Sequence, residues 1–315
     1  MLEEVRHQES ATRFLRRVVS GALVSPLLLI GPAGVGKRYS LLCMMREVLC
    51  TGSRAPTCPC AGCYQVQRNL HSDVHIITAT KYIEVKQIRE MIVEAGNCPS
   101  ASGFSAFIID GADRFTIEAA DALLKTLEEP PSTSRFFLLA EDLSRVPATI
   151  RSRCGVVVYR PLPAALVLSI VQRAEDDAAK ALVYSRMGEG SAGRAVDYCS
   201  AGKLSLRDQV VKVLQASVER DLPGVFSLVD AMKNDLETAT AFMEQVVRDV
   251  LIAPLDPMRV INVDVLEALQ NLRAKVPNTG WARLATKVAA LRQNARKPGL
   301  NVGFQLKAML AESFV

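Results

Sequence analysis

The apolar run Leu27-Leu28-Leu29-Ile30 passes without a break into Gly31-Pro32-Ala33-Gly34-Val35-Gly36-Lys37. This is the G-x-x-x-x-G-K spacing in the context that gives it physical meaning, after a buried strand and before a helix. Gly31, Gly34 and Gly36 let the backbone curl so that its N–H groups point inward at phosphate oxygens. The helix that begins near Lys37 adds its positive end, and the lysine would reach the β and γ phosphates of a nucleotide. Four further short apolar runs, at 74–77, 106–109, 136–140 and 155–159, are bounded by turn residues or charges. They alternate with helical patterns, so residues 1–160 are expected to form an α/β domain: a mainly parallel sheet flanked by helices on both faces.

Two positions depart from what hydrolysis requires. The residue after the loop lysine normally carries a hydroxyl that binds Mg²⁺, and here it is Arg38, which coordinates no cation. Its guanidinium either neutralises phosphate or turns to solvent. The loop therefore holds ATP or ADP without hydrolysing it, or persists as a strand–turn–helix with no ligand. Asp110 closes the third apolar run, where a carboxylate would hold Mg²⁺ through water or simply cap the turn. The position that usually orients the attacking water is Gly111, which has no side chain for the task. With both groups missing together, no hydrolysis is expected in this site.

The eight cysteines are unevenly placed: Cys50, Cys58, Cys60 and Cys63 fall within fourteen residues. A secreted disulfide scaffold would be smaller and more evenly studded, so the cluster reads as a metal site. Four thiolates suit a closed tetrahedral structural zinc site, with no open position for catalysis. Cys60-Ala61-Gly62-Cys63 is an ordinary C-x-x-C, whereas Cys58-Pro59-Cys60 is one residue short and needs a sharper turn; His71 is a substitute donor. The apolar stretch 18–30, preceded by Arg13, Arg16 and Arg17, resembles a signal peptide but is interrupted by Gly21 and Pro26 and lies too far from the N-terminus. It is also short of the about 20 residues a membrane span needs. No membrane association and a cytoplasmic location are expected. Aromatic residues make up only 5% of the chain, which argues against binding nucleic acid mainly by base stacking.

The loop is followed in order by Asp110-Gly111-Ala112-Asp113, by Ala122-Leu123-Leu124-Lys125-Thr126-Leu127-Glu128-Glu129-Pro130-Pro131, and by Thr149-Ile150-Arg151-Ser152-Arg153-Cys154. This series resembles the AAA+ subunits of the bacterial DNA polymerase III clamp loader, and with the helical regions that follow, the resemblance spans essentially the whole chain. The motor branch, gamma and tau, has an intact ATP site; the degraded site here is similar to the delta-prime branch. The resemblance implies a P-loop AAA+ domain over 1–160 with a zinc module at about 50–71, a small helical lid domain at 161–203, and an all-α collar (oligomerisation) domain at 204–315. It implies a subunit without ATPase activity of its own, within the DNA polymerase III holoenzyme. Its partners would be gamma/tau and delta subunits in a hetero-pentamer, with the sliding clamp and primed DNA reached through the complex. The Ser-Arg-Cys arginine, Arg153, would act as an arginine finger in a neighbour's ATP site, where a planar guanidinium matches phosphate and a lysine would not. Arg194, in the segment 190–194, would approach nucleotide phosphate or only cap a helix. Lys86 and Arg89, opening a helix after 83–84, would touch DNA phosphate or lie on an exposed amphipathic face. An active motor subunit, gamma- or tau-like, is the alternative, and a non-replicative interaction protein that reuses the fold is a third reading. Within 204–315 every periodic stretch is helical, with breaks at Pro223, Pro254, Pro257, Pro277 and Pro298.

Overall fold

The five apolar runs are strands of one parallel sheet in the computed structural model, which describes residues 1–23, 25–294 and 301–313. They are β1 (Leu27–Ile30), β2 (Val74–Thr78), β3 (Ser105–Asp110), β4 (Ser134–Ala140) and β5 (Gly155–Val158), in the order β2-β3-β4-β1-β5. Register is set by side-chain alternation. Leu27, Leu29, Ala106, Ile108, Phe137, Leu139 and Val157 pack on one face, with Leu15, Val18, Leu41 and Met44. Leu28, Ile30, Phe107, Ile109, Phe136 and Leu138 pack on the other, with Ile88, Met91, Leu123 and Leu127. Each such fully buried side chain contributes roughly 1.5–3 kcal/mol, and a one-residue slip would exchange the two faces.

The helices of this unit are α1 (Glu9–Val19), α2 (Lys37–Leu49), α3 (Ala61–Gln67), α4 (Val85–Ala95), α5 (Ile117–Glu128) and α6 (Ala148–Arg151). Thr116 caps α5 as its sequence position implies, its hydroxyl accepting from the Ala119 N–H at 3.2 Å. The spacing of three and four that Ile117 shares with Ala120, Leu123, Leu124 and Leu127 predicts that it lies on the buried stripe of α5; it is 78% exposed instead. The stripe is centred on Ala119, Ala120, Leu123 and Leu127, and at about 100° per residue Ile117 falls on its flank, roughly a quarter turn away.

Two compact units divide the chain, residues 1–163 and 164–315. Among its described residues the second has only helices: α7 (Ala164–Val171), α8 (Ala178–Met187), α9 (Ala192–Ser200), α10 (Leu204–Val218), α11 (Leu222–Ala231), α12 (Leu236–Ile252), α13 (Leu266–Lys275), α14 (Asn278–Asn294) and α15 (Val302–Glu312), besides short 3-10 turns. Pro223 sits in the first turn of α11, where its missing N–H costs nothing. Pro254 and Pro277 fall between helices, Pro257 opens a short 3-10 helix (Pro257–Arg259), and Pro298 lies outside the described residues. A buried polar knot holds the segment after α12: Asp249 accepts from the Ile261 and Asn262 backbone and from Asn262 Nδ2, and Asn262 accepts from Arg207. Among the described residues no helix is long and apolar enough to cross a membrane.

In the first unit, Asp73 ends the turn before β2 and is buried. It accepts from the backbone N–H groups of Ser100, Ala101 and Ser102 at 2.7, 2.9 and 2.9 Å, and from the Ser102 hydroxyl at 3.0 Å. Burial pushes its carboxyl up, but these donors outweigh burial and hold it below the ordinary carboxylate range. A depressed folded-state value gives stability that is complete above the unfolded value and is lost as pH falls through the folded one. Asp73→Asn should cost about 1–3 kcal/mol at pH 7 by denaturant unfolding. The gap to wild type should close as pH is lowered below the ordinary carboxylate range; a gap that stays constant to pH 2 would show that the charge of Asp73 does not matter.

Candidate functional site

β3, β4 and β1 lie side by side, so the residues leaving their C-terminal ends meet on one rim of the sheet, where parallel α/β sheets bind ligands. The Gly31 N–H donates to the Ala140 carbonyl at 3.2 Å, and the Gly111 N–H to the Leu139 carbonyl at 3.0 Å. Gly31, Glu141 and Gly111 are thereby held at neighbouring strand ends. Gly34 and Gly36 both have positive φ, and Gly36 is the residue immediately before α2. Lys37, the first residue of α2, is buried; its ammonium donates to the carbonyls of Gly31 and, at 2.9 Å, Pro32. Burial holds its ammonium below the usual lysine range, against the pull of Glu141, Asp110 and Asp113.

Arg38 Nη1 stands 4.0 Å from Asp110 Oδ2. A guanidinium, not a hydroxyl, thus faces the strand-end carboxylate. Burial raises the Asp110 carboxyl, with Arg38, Lys37 and Arg114 opposing. Both partners are about one-third exposed, so the pair is worth no more than about 1 kcal/mol. Two members of this rim were not singled out in the sequence, Arg114 and Glu141, which pair at 3.4 Å. Their only sequence signal was position: Glu141 is the first residue beyond β4. Three cations, Lys37, Arg38 and Arg114, are set among three acids, Asp110, Asp113 and Glu141, so the protein has largely neutralised the rim by itself.

Gly111 is more than a missing carboxylate. Its φ is +106°, a region that side chains disfavour, and a Cβ built there would lie 2.7 Å from the Ala79 Cβ. A glutamate cannot be placed at 111 without moving backbone.

Arg153 lies at the other rim. It follows α6 and precedes the first residue of β5 by two, whereas Lys37 follows the last residue of β1; Leu27 is level with Gly155, and Ile30 with Val158. The two groups therefore stand at opposite ends of parallel strands, and Arg153 is not part of its own chain's loop. Its Nε donates to Glu128 Oε1 at 2.7 Å, its Nη2 reaches the same oxygen, and its Nη1 donates to the Thr149 carbonyl at 2.8 Å and the Ser152 hydroxyl at 3.2 Å. Glu128, the last residue of α5, is a partner that the sequence alone did not supply.

The four sulfurs of Cys50, Cys58, Cys60 and Cys63 come together within 4.8 Å of one another. Cys50 and Cys58 are 3.6 Å apart, and Cys50 and Cys60 3.9 Å. Four thiolates bound to a tetrahedral zinc at about 2.3 Å would be separated by about 3.8 Å, so the donor set fits. The backbone N–H of Cys63, then that of Thr51, lowers the Cys60 thiol, and the N–H of Cys60 lowers Cys58, whereas burial raises Cys63. The short C-x-C therefore does bring both sulfurs to the cluster. Gly62 is required by close approach, since a Cβ there would meet the Leu49 carbonyl oxygen at 2.3 Å. His71 is not among the four; its Nδ1 accepts from the Asp73 N–H at 3.1 Å.

The remaining candidates lie on α4 and α9. Lys86 and Arg89 are exposed on the first turns of α4, with Lys86 4.0 Å from Glu90. Arg194 is in the first turn of α9, in the second unit, where its N–H donates to the capping Ser191 hydroxyl at 3.1 Å.

Comparison with known proteins places the chain. The family model described as DNA polymerase III, delta subunit, matches residues 6–163. The gamma subunit of Buchnera aphidicola (subspecies Schizaphis graminum) is 35% identical over 40% of this chain and 36% of its own length. The delta-prime subunit of Escherichia coli K12 is 28% identical over 76% of this chain and 73% of its own length. The chain thus spans little more than a third of the first of these relatives. A gamma-subunit-related protein of Thermotoga maritima has the same fold, with a TM-score of 0.54 and 16% identity over 96% of this chain and 97% of that one. With a family match across half its length and a strand-end loop of the AAA+ kind, this chain belongs to the DNA polymerase III delta subunit family, as a delta-prime-like clamp-loader subunit.

Proposed function

We propose that this chain is the non-hydrolysing stator of a replicative clamp loader, donating Arg153 to the ATP site of a neighbouring gamma or tau subunit. The carrying observation is the separation of the two chemistries on one sheet: a neutralised loop at one rim and a Ser-Arg-Cys arginine, held by Glu128, at the other. An arginine that does not belong to its own loop serves catalysis only in trans, where a guanidinium stabilises the charge of the transferring phosphoryl group. Glu128 and the Thr149 carbonyl hold the planar head until a γ-phosphate competes for it. In this reading residues 161–203 act as the lid and 204–315 as the collar of a hetero-pentamer with gamma/tau and delta. The complex delivers the sliding clamp to primed DNA in the cytoplasm, and Arg194 serves whatever nucleotide the loop retains. Zinc is the ion for the four thiolates, a structural staple for the excursion between α2 and β2, with no part in the reaction.

Arg153→Ala should leave folding intact and lower the DNA- and clamp-stimulated ATPase of the reconstituted complex by a factor of about 10³ or more per affected site. An unchanged rate sinks the finger assignment, and ATP turnover by the purified chain alone would favour a motor subunit instead. Combining Arg38→Ser with Gly111→Glu should not create hydrolysis in the isolated chain. Gly111→Ala alone should cost about 1–3 kcal/mol in thermal unfolding, since it forces a side chain into a disfavoured φ; an unshifted Tm would show that the turn relaxes freely. Elemental analysis of the reduced protein should find one zinc per chain, lost together with thermal stability in Cys60→Ser. Less than half an equivalent in wild type counts against the metal.

A further inference from the structure

We propose that the outer face of α1 binds the phosphate backbone of duplex DNA through Arg13, Arg16 and Arg17. α1 buries Ala11, Leu15 and Val18, which leaves residues 13, 16, 17 and 20 together on the opposite side at helical spacing. All three arginines are exposed, and among the described residues none of their side chains is engaged in an ion pair or hydrogen bond. They line a groove of about 630 Å³ that the N-terminal turn, with Leu2, Glu3 and Val5, forms against α1. The acidic members of the groove, Glu3 and Glu9, lie toward the start of the helix, and the arginines follow along its later turns. α4 is a poor rival: Lys86 and Arg89 share that helix and its cap with Glu84, Glu90 and Glu94.

The chemistry of the face selects its ligand. Unpaired guanidinium forks match phosphate oxygens bidentately. Among the described residues no large exposed apolar side chain lines the groove, so it offers neither a platform for stacking unpaired bases nor the apolar anchors that hold a peptide. What remains is sequence-independent contact with a regular phosphate backbone, which is strongly salt-dependent. The Arg153 reading does not enter here: ATPase of the complex tests that one, and DNA affinity of the chain tests this one.

The experiment measures binding of a labelled duplex to the full-length protein by fluorescence anisotropy at several salt concentrations. Wild type is set against R13E/R16E/R17E and the milder R13A/R16A/R17A, each with its Tm checked against wild type. Three phosphate contacts steepen the plot of log K against log salt by about 2.7, so between ~50 and ~200 mM salt wild type should lose about 40-fold more affinity than the triple variants. R13K/R16K/R17K should keep the slope. An equal slope in wild type and the alanine set overturns the proposal, as does loss of binding in K86E/R89E with the α1 variants unaffected. Polyglutamate competing as well as a duplex of equal charge would assign the face to an acidic polypeptide and overturn it too.

Discussion

Because all five strands run in one direction, the sheet of the first unit has two chemically different rims, and the molecule's chemistry is sorted between them. Strand C-termini deliver Gly31, Gly111 and Glu141 to one rim; strand N-termini take delivery from Glu128 and Arg153 at the other. Neither cluster depends on long loops for its placement. Gly31, Gly111 and Glu141 directly follow strands and Arg153 is two residues before one, and those strands are fixed by buried leucine, isoleucine and phenylalanine on both faces. An antiparallel pair anywhere in the order β3-β4-β1 would have put a strand start among the strand ends and mixed the two sets of groups.

The first rim keeps the geometry of a phosphate loop for reasons of packing. The strand–loop–helix geometry is a packing requirement of the fold, since β1 sits between β4 and β5 and α2 contributes Leu41, Met44 and Met45 to the core. Lys37 donates to the loop carbonyls of Gly31 and Pro32, and Arg38 stands 4.0 Å from Asp110, so the charged residues of the rim face one another. A catalytic rim keeps a surplus of positive charge for its ligand; this one is balanced among Lys37, Arg38, Arg114, Asp110, Asp113 and Glu141.

Much of this was legible in the chain itself. The strands were marked by short apolar runs between turn residues, the loop by its glycines, the four-thiol cluster by cysteines close in sequence, and the cap of α5 by Thr116. What was not legible depends on strand order or on residues far apart in sequence. Arg114 and Glu141 meet because β3 neighbours β4, and Glu128 meets Arg153 because the end of α5 and the turn before β5 share a rim. Nothing local to either residue announces the other. Periodicity placed α5 correctly but widened its buried stripe to Ile117, because apolar identity does not distinguish the centre of a helix face from its flank. The glycine at 111 could be read as an absence, but only the backbone shows that the absence had become a conformation.

That conformation gives an exchange at this position a direction in time. While a residue with a side chain stands after the strand-end aspartate, exchanging it for glycine is permitted by every backbone geometry. Once the turn has settled at φ +106° with Ala79 against it, the reverse exchange meets a barrier that the forward one did not. A lineage that has taken this step is held to it by sterics. A side chain returns to position 111 only with a rebuilt turn.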